Sequence, residues 1–242
     1  MGHYEQGTPG EDYPDKEVRL WRWAAVLAIG AAVVVVTATA SSAPSGDCQE
    51  LETFAKSPVG QFPVGWKPRK DEGTSIYQVL EESGVRFLRA AADGQGIQAA
   101  RQYEWDLASY PVLAWSWRPQ EFPRGADERE GSTNDSVLSV YMLVPHSRIR
   151  GPKAVKYVWS EVVPTGTRLS SNNGLTQGRV LRSGRPDTTG WVEERVDVLQ
   201  DFRTFFKEGD APRPAGIAVL SDADQTRSRA VGDYANFRVC RG

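Results

Sequence analysis

The chain has 242 residues, 40% of them hydrophobic, which is enough to bury the core of one large domain or two small ones. It carries 29 lysines and arginines and 31 aspartates and glutamates. Because three of the bases and five of the acids lie in residues 1–43, the rest of the chain is formally neutral. A neutral body argues against a nucleic-acid partner, since phosphate binding requires a clustered positive field.

An apolar segment at residues 24–40 follows Arg19 and Arg22. Basic residues before such a run hold the N-terminus in the cytoplasm and direct the following chain across the membrane. The segment ends in small residues at 38–40, whose Ala-Thr-Ala pattern suits cleavage by signal peptidase. Its length lies between that of a signal-peptide core and that of a membrane span, so cleavage and retention both stay open.

These features predict three parts of the chain. Residues 1–23 form a polar cytoplasmic n-region, residues 24–43 form a hydrophobic helix that is a signal peptide or a membrane anchor, and residues 44–242 form a single domain. We therefore expect the domain in the periplasm or outside the cell, either free or anchored in the inner membrane. In both cases the chain meets a membrane only through its N-terminal segment.

The only two cysteines, Cys48 and Cys240, lie near the start and the end of the predicted domain. In an oxidising compartment such a pair is most simply a disulfide, although two unpaired thiols are the alternative. A disulfide between them requires the first and last strands of the domain to lie side by side.

Turn residues recur at short intervals after residue 50, and helical periodicity is scarce. Segments rich in Val, Ile, Tyr, Trp and Leu predict strands at 76–82, 85–92, 97–103, 112–117, 136–144, 155–161, 179–183, 191–197, 216–221 and 235–239. One short helix is predicted at 201–208. This pattern predicts an all-β fold, an antiparallel β-sandwich or barrel, and paired terminal strands favour a jelly roll.

Histidine restricts the possible chemistry, because His3 precedes the apolar segment and His146 is the only imidazole after it. A zinc site with several histidines cannot form in the exported part. The chain also contains no Gly-x-Ser-x-Gly motif that would supply a nucleophilic serine to a triad with His146. Carboxylate chemistry or no chemistry remains, and we interpret His146 as a solvated loop residue.

Asp222 and Asp224 follow the predicted strand at 216–221 in the pattern Asp-x-Asp-x-Thr. Two carboxylates at this spacing at the end of a strand can point the same way. They can cap a turn, bind a calcium ion together with backbone carbonyls, or contact a ligand. Calcium is the one cofactor that the sequence suggests, and no other is predicted.

A second acidic loop, at residues 125–135, connects two predicted strands and carries both signs of charge. A solvated loop is one interpretation. In the other, the loop lies at the rim of the sandwich, and Asp127 and Asp135 contribute to a polar binding site there.

Tryptophan is frequent in the predicted domain. Trp115 and Trp117 share one face of a strand, and we interpret them as core residues between two sheets. Trp159 and Trp191 lie nearer to strand ends. They fit either a core position or an exposed aromatic platform that stacks on sugar rings.

The motif order resembles the bacterial family called domain of unknown function 3047. The matching segments are 87–90, 111–117, 125–129, 134–135, 156–160, 201–206, 216–226 and Tyr234. The resemblance implies an exported β-sandwich similar to galactose-binding-like jelly rolls, and it implies no particular activity. The family tends to have an acidic residue and later an arginine where this chain has Ser136 and Ser139, which weakens any polar site on that strand.

Three functional hypotheses remain open. The first is a non-catalytic protein that binds a carbohydrate or another polar ligand of the cell envelope. The second is a carboxylate-dependent polysaccharide hydrolase or lyase, for which the candidate acids are Asp127, Asp135, Asp222 and Asp224. The third is a membrane-tethered scaffold of a larger complex, which requires that the apolar segment be retained.

Overall fold

The structure is a computed structural model that describes residues 47–187 and 190–242. The predicted n-region at 1–23 and the predicted signal peptide or anchor at 24–43 lie outside these ranges. Within the described ranges, no helix has the length and apolar character needed to span a membrane.

The described residues form thirteen strands and one α-helix. The elements are β1 (Cys48–Glu52), β2 (Trp66–Pro68), β3 (Tyr77–Glu82), β4 (Val85–Asp93), β5 (Ala99–Gln102), β6 (Val112–Glu121), β7 (Leu138–Ser147), β8 (Gly151–Ser160), β9 (Arg168–Ser171), β10 (Thr176–Ser183), β11 (Val192–Asp197), α1 (Val198–Phe206), β12 (Gly216–Leu220) and β13 (Arg229–Cys240). All ten predicted strands are present, and β1, β2 and β9 are additional.

The strands form two sheets. The six-stranded sheet has the order β11-β6-β13-β4-β3, with β1 also paired to β13, and the seven-stranded sheet has the order β2-β5-β12-β7-β8-β10-β9. This arrangement confirms the predicted all-β sandwich with one short helix. The purely antiparallel prediction needs one correction, because β10 runs parallel to β8. After β8 the chain forms β9 at the edge of the sheet, and β10 then lies between β8 and β9, antiparallel to β9.

Large aromatic side chains from both sheets meet in the core. Trp115 and Trp117 are fully buried, as predicted, and their rings lie 5.6 Å from Tyr157 and 5.7 Å from Trp159 respectively. Trp159 is only 3% exposed, and its indole N–H donates to the carbonyl of Gly184 at 3.0 Å. The interpretation of Trp159 as an exposed platform is therefore wrong, because its side chain faces the opposite sheet.

The predicted disulfide is confirmed. Cys48 at the start of β1 lies directly opposite Cys240 at the end of β13, and the two sulfurs are bonded. The first and last strands are therefore neighbours in the six-stranded sheet, as the pairing requires.

The helix begins three residues before its predicted start. The carboxylate of Asp197 accepts a hydrogen bond from the backbone N–H of Gln200 at 2.8 Å and so caps the first turn. The helix ends at Phe206, because Lys207 adopts the left-handed conformation. It packs against β8, β10 and β6 and covers one end of the core.

Candidate functional site

The predicted site residues lie in separate parts of the domain. Asp135, Asp222 and Asp224 come together beyond the ends of β7 and β12. Asp127 lies in the same loop as Asp135 but pairs with Arg129 instead of joining the cluster, and Trp191 lies on the outer face of the six-stranded sheet. His146 is exposed, as predicted, but it lies within the last residues of β7 and not in a loop.

The carboxylate oxygens of Asp135, Asp222 and Asp224 lie within 4.8 Å of one another, so these three side chains have the geometry to hold one cation. Asp135 is fully buried and already accepts three hydrogen bonds. The donors are the backbone N–H of Gln225 at 3.2 Å and the backbone N–H and hydroxyl of Thr226 at 2.7 and 2.6 Å. Asp135 therefore fixes the turn that follows β12, which is the capping role predicted for Asp222 and Asp224.

In the described part of the chain, Asp222 combines an unpartnered carboxylate oxygen with a raised pKa. One of its oxygens, Oδ1, is buried and has no hydrogen-bond partner among the described residues. Burial, followed by the charges of Asp224 and Asp135, raises the pKa of Asp222 to about 7. Gly96 lies so close that an added Cβ would be 1.9 Å from Oδ1. The lack of a side chain at Gly96 therefore lets the neighbouring loop pack on this carboxyl group.

Asp127 does not join the cluster. Its carboxylate pairs with Arg129 at 2.5 Å, and the hydrogen bonds from Arg129 lower the pKa of Asp127 to about 2. The next residue, Glu128, accepts a hydrogen bond from the Ser160 hydroxyl at 2.5 Å, and burial raises its pKa. Glu128 and Lys156 line a small cavity of about 130 Å³ on the seven-stranded sheet.

A larger depression of about 570 Å³ lies on the outer face of the six-stranded sheet. We call it the arginine groove. It is lined by Val59, Leu80, Glu81, Glu82, Phe87, Arg89, Arg118 and Gln120. Strands β3, β4 and β6 supply most of these residues, so a regular sheet rather than loops holds them in place.

The base of the arginine groove is organised by one buried carboxylate. Asp233 in β13 lies directly opposite Arg89 in β4 and Arg118 in β6, and it is fully buried. It accepts hydrogen bonds from Nε and Nη2 of Arg89 at 2.7 and 2.8 Å and from Nε of Arg118 at 2.7 Å. Nε2 of Gln120 donates to it at 2.9 Å. Charge-assisted bonds of this kind are strong, so the three donor side chains have fixed orientations.

These contacts leave further polar atoms free of hydrogen bonds to the described residues. Arg118 also donates from Nη2 to Glu82 at 2.6 Å, so Nη1 of Arg118 and Nη1 of Arg89 remain as donors. The amide oxygen of Gln120 remains as an acceptor. The hydrogen bond to Asp233 raises the pKa of Arg89, which therefore stays charged.

Trp191 forms an aromatic wall beside these donors. Its ring lies 5.4 Å from that of Phe87 in an edge-to-face arrangement, and the Arg118 guanidinium lies 4.5 Å from the Trp191 ring. Trp191 is 36% exposed, whereas every other tryptophan in the described part of the chain is buried. The candidate site therefore combines an accessible indole with fixed planar donors.

Sequence reasoning singled out Trp191 but missed the polar base of the groove. Alternation along the strands places Phe87 and Arg89 on one face of β4, and Arg118 and Gln120 on one face of β6. That signal was available in the sequence. The pairing partner was not, because the register that sets Asp233 between two arginines depends on strands far apart in the chain.

Three solved structures illustrate the likeness of the fold. The first is the family 11 carbohydrate-binding module of a cellulosomal cellulase of Clostridium thermocellum, with 9% identity and a TM-score of 0.43, and the match covers 81% of this chain and 95% of that chain. The second is the xyloglucanase domain of NopAA from Sinorhizobium fredii, with 12% identity and a TM-score of 0.38, covering 81% of this chain and 98% of that chain. The third is endoglucanase 3 of Trichoderma harzianum, with 11% identity and a TM-score of 0.40, covering 83% of this chain and 100% of that chain. Likenesses of this size carry no argument about function.

Comparison with protein families agrees with the resemblance found in the motifs. The matched region, residues 64–238, contains the acid cluster and every lining residue of the arginine groove except Val59. Both cysteines lie outside it. No curated protein matches the chain by sequence. By its family match over residues 64–238, the chain belongs to the family described as protein of unknown function (DUF3047).

Proposed function

We propose that this protein is a non-catalytic carbohydrate-binding β-sandwich and that the arginine groove holds the glycan. One observation carries the proposal: the buried carboxylate of Asp233 fixes Arg89, Arg118 and Gln120 beside the exposed ring of Trp191.

A sugar ring has an apolar face of C–H groups and an edge of hydroxyl groups, and the arginine groove together with the adjoining Trp191 offers a partner for each. The exposed indole of Trp191 supplies an aromatic surface for the ring face. The remaining N–H groups of Arg89 and Arg118 and the amide oxygen of Gln120 can bond hydroxyls. Because Asp233 already fixes these side chains, ligand binding costs little further side-chain entropy, which favours affinity.

The size of the groove also suits this class of ligand. Its volume of about 570 Å³ falls within the range of typical small-molecule clefts, roughly 300–1,000 Å³. The groove is open along the sheet surface rather than enclosed, so an oligosaccharide chain can extend beyond it.

The carboxylates of the groove are committed to arginines, which favours binding over hydrolysis. Asp233 is buried between two guanidinium groups, Glu82 pairs with Arg118, and Glu81 pairs with Arg86 at 2.9 Å. Glycoside hydrolysis requires one acid that holds a proton and a second that remains a base or nucleophile. The oxygens of these carboxylates are occupied by guanidinium groups, so they are poorly placed to exchange a proton with a substrate.

The location and the finer fold form part of the same proposal. The disulfide between Cys48 and Cys240 fits an oxidising compartment, in agreement with export by residues 24–43. The pairing of β1 with β13 fits the jelly-roll, galactose-binding-like form predicted for residues 44–242. The intact mass of the protein from its native membrane will separate a cleaved signal peptide from a retained anchor, and only the anchor permits the membrane-tethered scaffold.

The proposal is tested with the full-length protein on an array of cell-wall and exopolysaccharide glycans. We expect binding by the wild type, loss of most binding in Trp191→Ala, and full binding in Ile149→Ala. Ile149 is 97% exposed in the turn between β7 and β8, on the other sheet, so it controls for removal of an exposed apolar side chain. Absence of binding to every glycan, or equal binding by the two variants, would contradict the proposal.

The hydrolase or lyase and the calcium site both stay predictions. Of the four candidate acids, Asp127 pairs with Arg129 and Asp135 already accepts three hydrogen bonds, so Asp222 and Asp224 have the least engaged carboxylates. A cation at these residues would raise the melting temperature of the wild type on calcium addition and would not do so in Asp222→Asn. Release of reducing ends from a polysaccharide, lost in the same variant, would favour catalysis.

A further inference from the structure

The arginine groove contains two cations and two anions in direct contact. Arg89 and Arg118 are the cations, and Asp233 and Glu82 are their partners at 2.6 to 2.7 Å. The remaining acid of the lining, Glu81, is neutralised by Arg86 at 2.9 Å. The groove is therefore close to electrically neutral, although two arginines give it the composition of an anion-binding site.

The two carboxylates have different positions. Asp233 is fully buried beneath the arginines, where no ligand can reach it. Glu82 is the last residue of β3, its side chain is 56% exposed, and it contacts Arg118 from the open side of the groove. Any group that approaches the outer edge of Arg118 therefore meets Glu82 first.

We infer that the arginine groove selects neutral glycans over acidic ones, and that Glu82 is the residue that sets this selectivity. The inference rests on the proposed function. A uronate carboxylate that makes a bidentate contact with Arg118 has to displace Glu82 from Nη2 or lie next to the Glu82 carboxylate. Two adjacent carboxylates repel each other. A neutral hydroxyl meets no such repulsion and can accept from Nη1. Discrimination of this kind comes from an unfavourable contact with the wrong ligand.

Glu82 can be changed without removing the frame of the site. Ion pairs between exposed side chains contribute little to stability, and Asp233 continues to hold Arg89, Arg118 and Gln120. Glu82→Gln keeps the shape of the side chain and removes one negative charge. It leaves the groove with a net positive charge and frees Nη2 of Arg118 for a carboxylate.

The test measures affinity of the full-length protein for two matched probes. One is the neutral oligosaccharide that binds best on the glycan array, and the other is the same oligosaccharide with its primary hydroxyls oxidised to carboxylates. The variants are Glu82→Gln and Glu208→Gln. Glu208 pairs with Lys153 beside α1 and is 45% exposed, so its replacement changes the net charge equally at a site remote from β3.

We expect the wild type to bind the carboxylated probe at least about tenfold more weakly than the neutral one. Glu82→Gln should gain about tenfold for the carboxylated probe relative to the neutral probe and lose that gain at high salt, and an unchanged melting temperature reports an intact fold. Glu208→Gln should behave as the wild type.

Three results would overturn the inference while leaving the proposed function in place. They are a wild type that prefers the carboxylated probe, an equal change for both probes in Glu82→Gln, and the same gain in Glu208→Gln. If the wild type binds no glycan at all, the proposed function fails, and the selectivity fails with it.

Discussion

Asp233 illustrates how a buried charge is compatible with this fold. A carboxylate removed from water is costly unless hydrogen bonds and opposite charges surround it. Arg89 and Arg118 face it from the two neighbouring strands, and Gln120 adds a third donor. Because the partners are half-buried themselves, the loss of Asp233 would leave two guanidinium groups next to each other with no shared anion.

We predict that Asp233→Asn lowers the free energy of unfolding by about 3 kcal/mol, as is typical when one partner of a buried ion pair is removed. Urea denaturation measures this change. Asp127→Asn is the matched control, because Asp127 also pairs with an arginine but lies in an exposed loop, and it should change stability little. Equal stability of the two variants would show that Asp233 does not organise the sheet.

Asp222 gives a pH-dependent prediction. Its pKa of about 7 in the folded chain exceeds its ordinary value of 3.8. Between these two values the folded protein holds a proton that the unfolded chain has released, so the free energy of unfolding falls as pH rises from about 4 to about 7. Asp222→Asn removes this dependence and should be the more stable form at pH 8, by up to about 4 kcal/mol.

Denaturation curves at several pH values, recorded with a chelator present so that no cation binds, will check this effect. A difference between wild type and Asp222→Asn that stays constant from pH 4 to pH 8 would be inconsistent with a raised pKa at Asp222. Asp224→Asn should lower the pKa of Asp222, because the charge of Asp224 contributes to the shift.

At the scale of elements, hydrophobic alternation located the strands well but failed at their polar parts. β13 spans Arg229–Cys240, whereas only 235–239 was predicted, because Gly232 and Asp233 interrupt the apolar pattern. β9 is short and mostly exposed at a sheet edge, so it lacks the apolar face that marks a strand. Tertiary pairing, which a local pattern does not contain, decides these segments.

The disulfide gives the element-scale prediction. Among the described strands β1 pairs with β13 alone, so the bond between Cys48 and Cys240 fastens an edge strand. We expect the double variant Cys48→Ser, Cys240→Ser to lose about 2–5 kcal/mol of unfolding free energy. Amide exchange should rise most in β1. Uniform exchange across both sheets would indicate that the bond acts on the unfolded chain only.

At the scale of the molecule, the sequence was sufficient for the fold class, the disulfide and the family, because each depends on composition, spacing or motif order. Its four candidate acids included Asp135, Asp222 and Asp224, which the structure brings together, but also Asp127, which lies apart from them. It did not reveal the arginine groove, which requires the lateral order of β3, β4, β13 and β6. Alternation gives two faces for each strand, and only the packed sandwich decides which face is outside.

A glycan that lies in the arginine groove shields the side chains there from solvent. Oxidative footprinting of the full-length protein, with and without a saturating neutral oligosaccharide that binds on the array, measures this shielding. Trp191 is the most informative probe, because it is the exposed tryptophan of the described chain. We expect the ligand to protect Trp191 and to leave His146, on the seven-stranded sheet, unchanged. Protection confined to that other sheet, around Lys156 and Asp222, with Trp191 unaffected, would contradict it.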